Sequence, residues 1–211
     1  MKKVIKQLHI YQSIAATLMF CVFCLNMTIP VFAEEKSGSC GTFLEWSLSG
    51  DVLTISGSGD MADYSDSKLA PWYPYAEDIK TISLPSGLLS IGDFAFYGCT
   101  NLTSIRIPEK VISIGEYAFA QCTEMQQANW GNNLEKMGEG AFQGCESLRD
   151  ISFPASLTEI GAKAFYRCYG LQMLVIPETI KNIGSSAFAY CTGLVRAIVN
   201  APISSLPGWM F

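Results

Sequence analysis

Five cysteines, Cys99, Cys122, Cys145, Cys168 and Cys191, stand 23 residues apart, and the residues between them recur at the same interval. A unit this short cannot bury its own apolar side. It must stack on near-copies of itself, so the chain is a repeat protein whose core runs through all its layers. Function is then sought on the faces of a stack, not in a closed pocket.

The copies begin at Ile79, Leu102, Met125, Leu148, Leu171 and Leu194, each counted here as position 0. Position 3 carries Ile82, Ile105, Ala128, Ile151, Leu174 and Ala197, and position 5 carries Leu84, Ile107, Trp130, Phe153, Ile176 and Val199. That alternation predicts a strand with one buried face. Position 6 is Pro85, Pro108, Gly131, Pro154 and Pro177, then Asn200, a set that ends a strand because proline has no N–H for a ladder. Positions 9 and 12 are apolar again (Val111 and Ile114, for example), and a glycine follows at Gly92, Gly115, Gly138, Gly161 and Gly184. A glycine in every copy implies either a positive φ or a tight backbone contact. Ala-Phe comes next, as in Ala118-Phe119, with the cysteine three residues later, which is helical spacing. One unit therefore reads strand, corner, short extended piece, glycine corner, helical turn.

The stretch Leu102 to Glu124, Leu-x-x-Ile-x-Ile-Pro-x-x-Val-x-x-Ile-Gly-x-x-Ala-Phe-x-x-Cys-x-x, resembles the BspA-type leucine-rich repeats of bacterial surface proteins. The resemblance covers 79–211: full copies at 79–101, 102–124, 125–147, 148–170 and 171–193, and a partial one at 194–211. It implies an α/β fold, a right-handed leucine-rich-repeat solenoid with one parallel sheet and short helical turns, preceded by a small β-rich N-terminal cap. Residues 34–78 would form that cap, with strands near Phe43 to Leu48 and Val52 to Ser56 joined at Ser49-Gly50-Asp51 and covering the open end of the first repeat. Segments within it, from Gly38 to Trp46, Leu53 to Met61 and Ala70 to Tyr73, are similar to what precedes such repeats in relatives. The third repeat departs most, with Ala128, Trp130 and Gly131. A small residue beside a large one conserves volume, so Trp130 reads as packing, with a ligand-stacking platform as the alternative.

Residues 1–33 read as a signal peptide: Lys2, Lys3 and Lys6, an apolar run from Ile14 to Leu25, then Val31-Phe32-Ala33 before Glu34. The run is shorter than the ~20 residues of a spanning helix, so no retained transmembrane segment is expected and the mature chain would be secreted or at the cell surface. No lipidated-cysteine motif surrounds Cys21 or Cys24, and Leu206-Pro207-Gly208-Trp209 is not a wall-sorting signal. The leader holds three of the 14 basic residues and none of the 19 acidic ones, leaving 11 against 19 and a net charge of −8. A nucleic-acid partner is disfavoured.

Six cysteines remain after the leader, yet equivalent positions of stacked coils point in parallel, whereas a disulfide needs converging Cβ atoms. A buried column of free thiols is expected, and no metal, since no Cys-x-x-Cys pair lies outside the leader. His9, the one histidine, belongs to the leader, so histidine-dependent nucleophiles and metal sites are excluded from the mature chain. Asp60, Asp63 and Asp66, followed by Glu77-Asp78, read as a solvated polar loop, with a weak calcium site as the alternative although the spacing is not that of an EF-hand loop. A hydrolase would need two carboxylates across a cleft, which a short solenoid lacks. No enzyme activity and no cofactor are expected.

Positions 1, 2 and 4 form the outward face of the strands, and they vary while the core columns do not: Thr103, Ser104 and Arg106, then Gln126, Gln127 and Asn129, then Arg149, Asp150 and Ser152. Variation over a fixed scaffold suits an extended protein-binding surface, and Arg106, Asn129 and Arg149 are its candidate contacts. The resemblance implies adherence to a host extracellular-matrix or cell-surface protein, such as fibronectin or fibrinogen. The alternative is a structural spacer or a truncated piece of a larger surface protein, because the sixth copy stops at Met210-Phe211 without its turn or cysteine.

Overall fold

The computed structural model describes residues 36–202, so the leader and the end of the sixth copy from Ile203 lie outside the described residues. The first element is an antiparallel hairpin. Strand β2 (Leu44–Ser49) buries Leu44, Trp46 and Leu48, and β3 (Val52–Asp60) buries Leu53 and Ile55, the alternation a half-buried strand requires. Ser49 faces Val52, so Gly50 and Asp51 alone make the turn, with Gly50 at φ 59°. Strand β1 (Lys36–Ser39) lies along the other edge of β2.

Strand β3 then bends at Gly57 and Gly59, whose φ values of 99° and 106° exclude a residue with a Cβ. Before the bend, Val52 to Thr54 pair in parallel with β4 (Thr81–Ser83); after it, Ser58 to Asp60 pair in parallel with β5 (Gly87–Ile91). One strand thus opens two ladders. The inner ladder continues without interruption through β7 (Ser113–Ile114), β9 (Lys136–Met137), β11 (Glu159–Ile160) and β13 (Asn182–Ile183). The outer ladder is the parallel sheet predicted at positions 2 to 5. Its strands are β4, β6 (Ser104–Arg106), β8 (Gln127–Asn129), β10 (Asp150–Ser152), β12 (Met173–Ile176) and β14 (Arg196–Val199).

The third side differs locally from the sequence reading. The Ala-Phe-x-x-Cys piece is a hydrogen-bonded turn without α-helix; among the described residues the one helical element is a 3-10 segment, Tyr73–Asp78. Ala95, Tyr97 and Cys99 donate backward to the carbonyls of Gly92, Phe94 and Phe96, while Phe94, Phe96 and Gly98 donate to Glu116, Ala118 and Ala120 of the next layer at 2.7–2.9 Å. Alternate N–H groups therefore serve the turn and the stack. This geometry needs left-handed backbone at positions 15 and 19 of the five full copies: Phe94, Tyr117, Gly140, Lys163 and Ser186, and Gly98, Gln121, Gly144, Arg167 and Tyr190, lie between 52° and 74°. A three-residue return bond has the spacing of a helix in sequence, but here the neighbouring layer replaces the four-residue helical bond.

Three columns run through the core. Trp72, Phe96, Phe119, Phe142, Phe165 and Phe188 stack ring on ring, with centroids 5.0–5.8 Å apart, and the Trp72 Nε1–H donates to the Ala95 carbonyl at 2.7 Å. Gly92, Gly115, Gly138, Gly161 and Gly184 fill their column because the backbones touch there: a Cβ on Gly115 would stand 2.6 Å from the Asp93 nitrogen, and one on Gly138 2.6 Å from the Glu116 nitrogen. Close approach, not positive φ, is the reason for this glycine. The cysteines form the third column, all buried and all free thiols. Each Sγ from Cys122 onward donates to the phenylalanine carbonyl 26 residues earlier, at 3.2–3.4 Å.

Candidate interaction surface

On the outer ladder Ile105, Ile151 and Leu174 point into the core, and residues 104, 106, 127, 129, 150 and 152 are exposed on the other face. Unlike the inner ladder, this one is divided: β6 pairs with β8, and β12 with β10 on one side and β14 on the other, but β8 and β10 form no ladder, nor do β4 and β6. Across the β8–β10 gap the Arg149 N–H reaches the Gln126 carbonyl at 3.4 Å. The equivalent bonds on either side are 2.8 Å (Gln126 N–H to Thr103) and 2.9 Å (Gln172 N–H to Arg149).

The gap follows from the residues behind it. Trp130 and Phe153 occupy position 5 in adjacent layers and stack with centroids 6.5 Å apart, wider than the ~4.8 Å between paired strands. Trp130 also meets Phe142 edge-on at 5.3 Å, so it is packed against the core, which favours the packing reading over the platform. Its Nε1–H is buried without a hydrogen-bond partner. Two large rings in succession thus hold β8 and β10 apart, and Ala128, small where isoleucine is usual, leaves no side chain to fill the difference.

Asn129 and Arg149 are brought together by that gap. With Gln126, Gln127 and Asp150 they line a depression of about 350 Å³. Arg106 sits opposite Asn129 in the β6–β8 register but lines a different hollow, about 530 Å³, with Leu84, Pro108, Glu109 and Lys110, over the β4–β6 gap. The three residues therefore share one face and flank two hollows. The sequence named them from variability alone; the signal that could have located the gap was the bulky pair at position 5.

Two of the three aspartates of the acidic loop are held in structural bonds. Asp60 accepts the Ser90 hydroxyl at 2.8 Å and Asp63 accepts the Asp93 N–H at 3.0 Å. Among the described residues no three His, Cys, Asp or Glu side chains are grouped so as to hold a metal ion. Burial, together with Asp93 and Glu139 nearby, raises the Glu116 carboxyl above its ordinary range. Burial pushes the Cys99 thiol up to about 12 and raises Cys122 and Cys145 as well, so these thiols stay protonated and unreactive at neutral pH. Among the described residues no helix is long and apolar enough to cross a membrane.

Two parallel ladders, a side of stacked turns and a continuous apolar core define a leucine-rich-repeat solenoid. Residues 73–195, more than half of the chain, match the BspA type leucine rich repeat region in six copies, and the chain belongs to that family. It is similar to a leucine-rich repeat protein from Eubacterium ventriosum (30% identity, TM-score 0.69, covering 80% of this chain and 45% of that one). It is also similar to the T. pallidum leucine rich repeat protein TpLRR (27% identity, TM-score 0.59, 77% and 83% covered). A leucine rich cell surface protein from Faecalibacterium prausnitzii shares the fold (19% identity, TM-score 0.50, 79% and 55% covered). The chain thus spans less than half of the Eubacterium protein's length. No curated protein matches it.

Proposed function

We propose that the chain is a secreted or cell-surface, non-enzymatic, adhesin-like module that holds a protein ligand on the outward face of the outer ladder, with Arg106, Asn129 and Arg149 among its contacts. The observation that carries this reading is the depression over the β8–β10 gap, where a guanidinium, three amides and the Asp150 carboxylate converge on one concavity. Such a set offers donors and acceptors for backbone and carboxylate groups of a partner. Residues 1–33 are the signal peptide in this proposal, 34–78 the cap and 79–211 the repeats. The partner is an extracellular-matrix or cell-surface protein of a host, in keeping with the BspA-type resemblance.

The test is surface plasmon resonance of the purified mature protein over immobilised fibronectin and fibrinogen. Binding to at least one is expected, weakened about tenfold or more by R106A/N129A/R149A, the loss of roughly 1.4 kcal/mol or more. No binding, or binding indifferent to the triple variant, would favour the spacer reading instead. N-terminal sequencing of the exported chain is expected to begin at Glu34; a protein that keeps Met1 would remove the leader from the proposal.

A further inference from the structure

The side of stacked turns carries a concavity of its own, about 870 Å³, that shares no residue with the outer ladder. It exists because of three short residues. Gly140, buried and at φ 58°, leaves room for the Tyr117 ring to lie across it: a Cβ there would meet the Tyr117 Cδ1 at 2.5 Å. Ser186 and Ala189 are equally short further along, in layers that elsewhere carry Tyr117, Lys163 or Tyr166 at the same positions. At the far end Tyr166 and Tyr190 meet edge to face at 5.2 Å and 71°, making an aromatic corner, and the Arg167 guanidinium lies 5.3 Å from the Tyr166 ring centre. Tyr117 and Tyr166 are two layers apart, about 10 Å at the ~4.8 Å strand spacing.

Between the rings stand Gln143, Lys163 and Ser186. Lys163 is not a free cation: its Nζ lies 3.5 Å from Glu139 Oε1, which also accepts the Tyr117 hydroxyl at 2.8 Å. The one charged lining residue is thus balanced by Glu139, which leaves the Arg167 guanidinium beside Tyr166 as the remaining nearby cation, and the rest of the lining is rich in uncharged donors and acceptors with aromatic rings at both ends. A phosphate or sulfate would find Lys163, the one cation in the lining, already paired, and Arg167 set against the Tyr166 ring outside the lining. A purely apolar ligand would strand the Gln143 amide and the Ser186 hydroxyl. A proline-rich peptide prefers an aromatic-lined groove along which its extended helix can run, and the edge-to-face corner closes that path. What fits is a ring with apolar C–H faces and a rim of neutral hydroxyls.

We propose that this hollow binds a short stretch of neutral saccharide, its C–H face against Tyr166 and Tyr190 and its hydroxyls on Gln143, Lys163 and Ser186. The site lies apart from the outer ladder, so one chain would hold a protein on one side and a glycan on another.

Saturation-transfer NMR on the purified mature protein tests this with cellotriose, maltotriose, N,N′-diacetylchitobiose and a proline decapeptide as probes. Transfer to the ring C–H protons of at least one sugar is expected, with affinity falling roughly tenfold in Tyr166→Ala and in Tyr190→Ala, the loss of one aromatic contact. Tyr190 is 59% exposed, so Tyr190→Ala is expected to leave the unfolding transition in place and keeps the experiment interpretable should Tyr166→Ala unfold. No transfer to any of the three sugars, transfer unchanged in Tyr190→Ala, or stronger binding of the decapeptide would each overturn the proposal.

Discussion

The two ladders are made from the same 23-residue unit and start from the same strand, yet the inner one runs unbroken from β3 to β13 while the outer one divides twice. The difference lies in what each ladder rests on. The inner strands adjoin the glycine column, where the backbones touch and no side chain can vary in size. The outer strands rest on positions 3 and 5, where the third repeat exchanges isoleucine for Ala128 and Trp130 at the β8–β10 division; the β4–β6 division has the usual Ile82, Leu84, Ile105 and Ile107 behind it, and these side chains do not explain it. A solenoid of this kind can therefore change its outer face one layer at a time without loosening the stack, because its continuity is secured elsewhere.

Breaking the shared core should fail both ladders together. Phe119→Ala removes a ring stacked between Phe96 and Phe142 at 5.2 and 5.0 Å, and a loss of about 3–5 kcal/mol is expected in urea-induced unfolding. If amides of the inner ladder stayed protected from hydrogen exchange while those of the outer ladder lost protection, the idea of one common core would be wrong.

Alkali probes the same core from the thiol column. Folding holds the Cys99 thiol at about 12 against an ordinary value of 9.0, and burial is the cause. Above pH 9 the unfolded chain binds fewer protons than the folded one, so stability falls as pH rises between about 9 and 12. The slope is up to about 1.4 kcal/mol per pH unit for each such thiol, and that contribution is fully present below the unfolded value. Urea midpoints at pH 7.5, 9 and 10.5 would check this; Cys99→Ala is expected to make the fall shallower by one thiol's share, Cys122 and Cys145 keeping theirs, and a variant with the parent's slope would show that the Cys99 thiol is not enclosed.

The comparison sharpens with Trp130→Ile. Restoring the usual residue removes the ring that spreads β8 from β10 together with its unpartnered Nε1–H, so the β8–β10 ladder should close at a change in stability within about 1 kcal/mol. Slower exchange of the Ser152 amide would report closure; exchange unchanged from the parent would place the cause of the gap elsewhere. The smallest effect is expected at Gln121→Gly. Position 19 is left-handed in all five full copies, and Gly144 in the next layer already has the residue that suits it. Relief of the left-handed strain, offset by the flexibility of glycine in the unfolded chain, should leave a gain below about 1 kcal/mol in thermal unfolding.

Much of this architecture is legible in the sequence, since the columns Ile105, Ile107, Phe119 and Cys122 carry the period of a stack in their spacing alone. The glycine column announces a constraint, but its two explanations, positive φ and close contact, differ only in three dimensions. The Ala-Phe-x-x-Cys turn misleads for a physical reason: its residues return to the core every three positions as a helix would, while half of its N–H groups bond to a neighbour that the single repeat does not contain. Arg106, Asn129 and Arg149 could be placed on one face by counting, whereas the hollow that joins Asn129 to Arg149 depends on the width of two rings behind the sheet. The tyrosines at 117, 166 and 190 are not legible as a site, because they stand on the turns, away from the strands whose variable positions mark a face.

The bend in β3 has one more consequence. The chain emerges N-terminus first with this segment ahead of every repeat, so the first coil can find both of its docking edges on β3, and each later coil can find them on its predecessor. Assembly can then proceed as vectorial growth from one seed, with no search for the phase between the two sides.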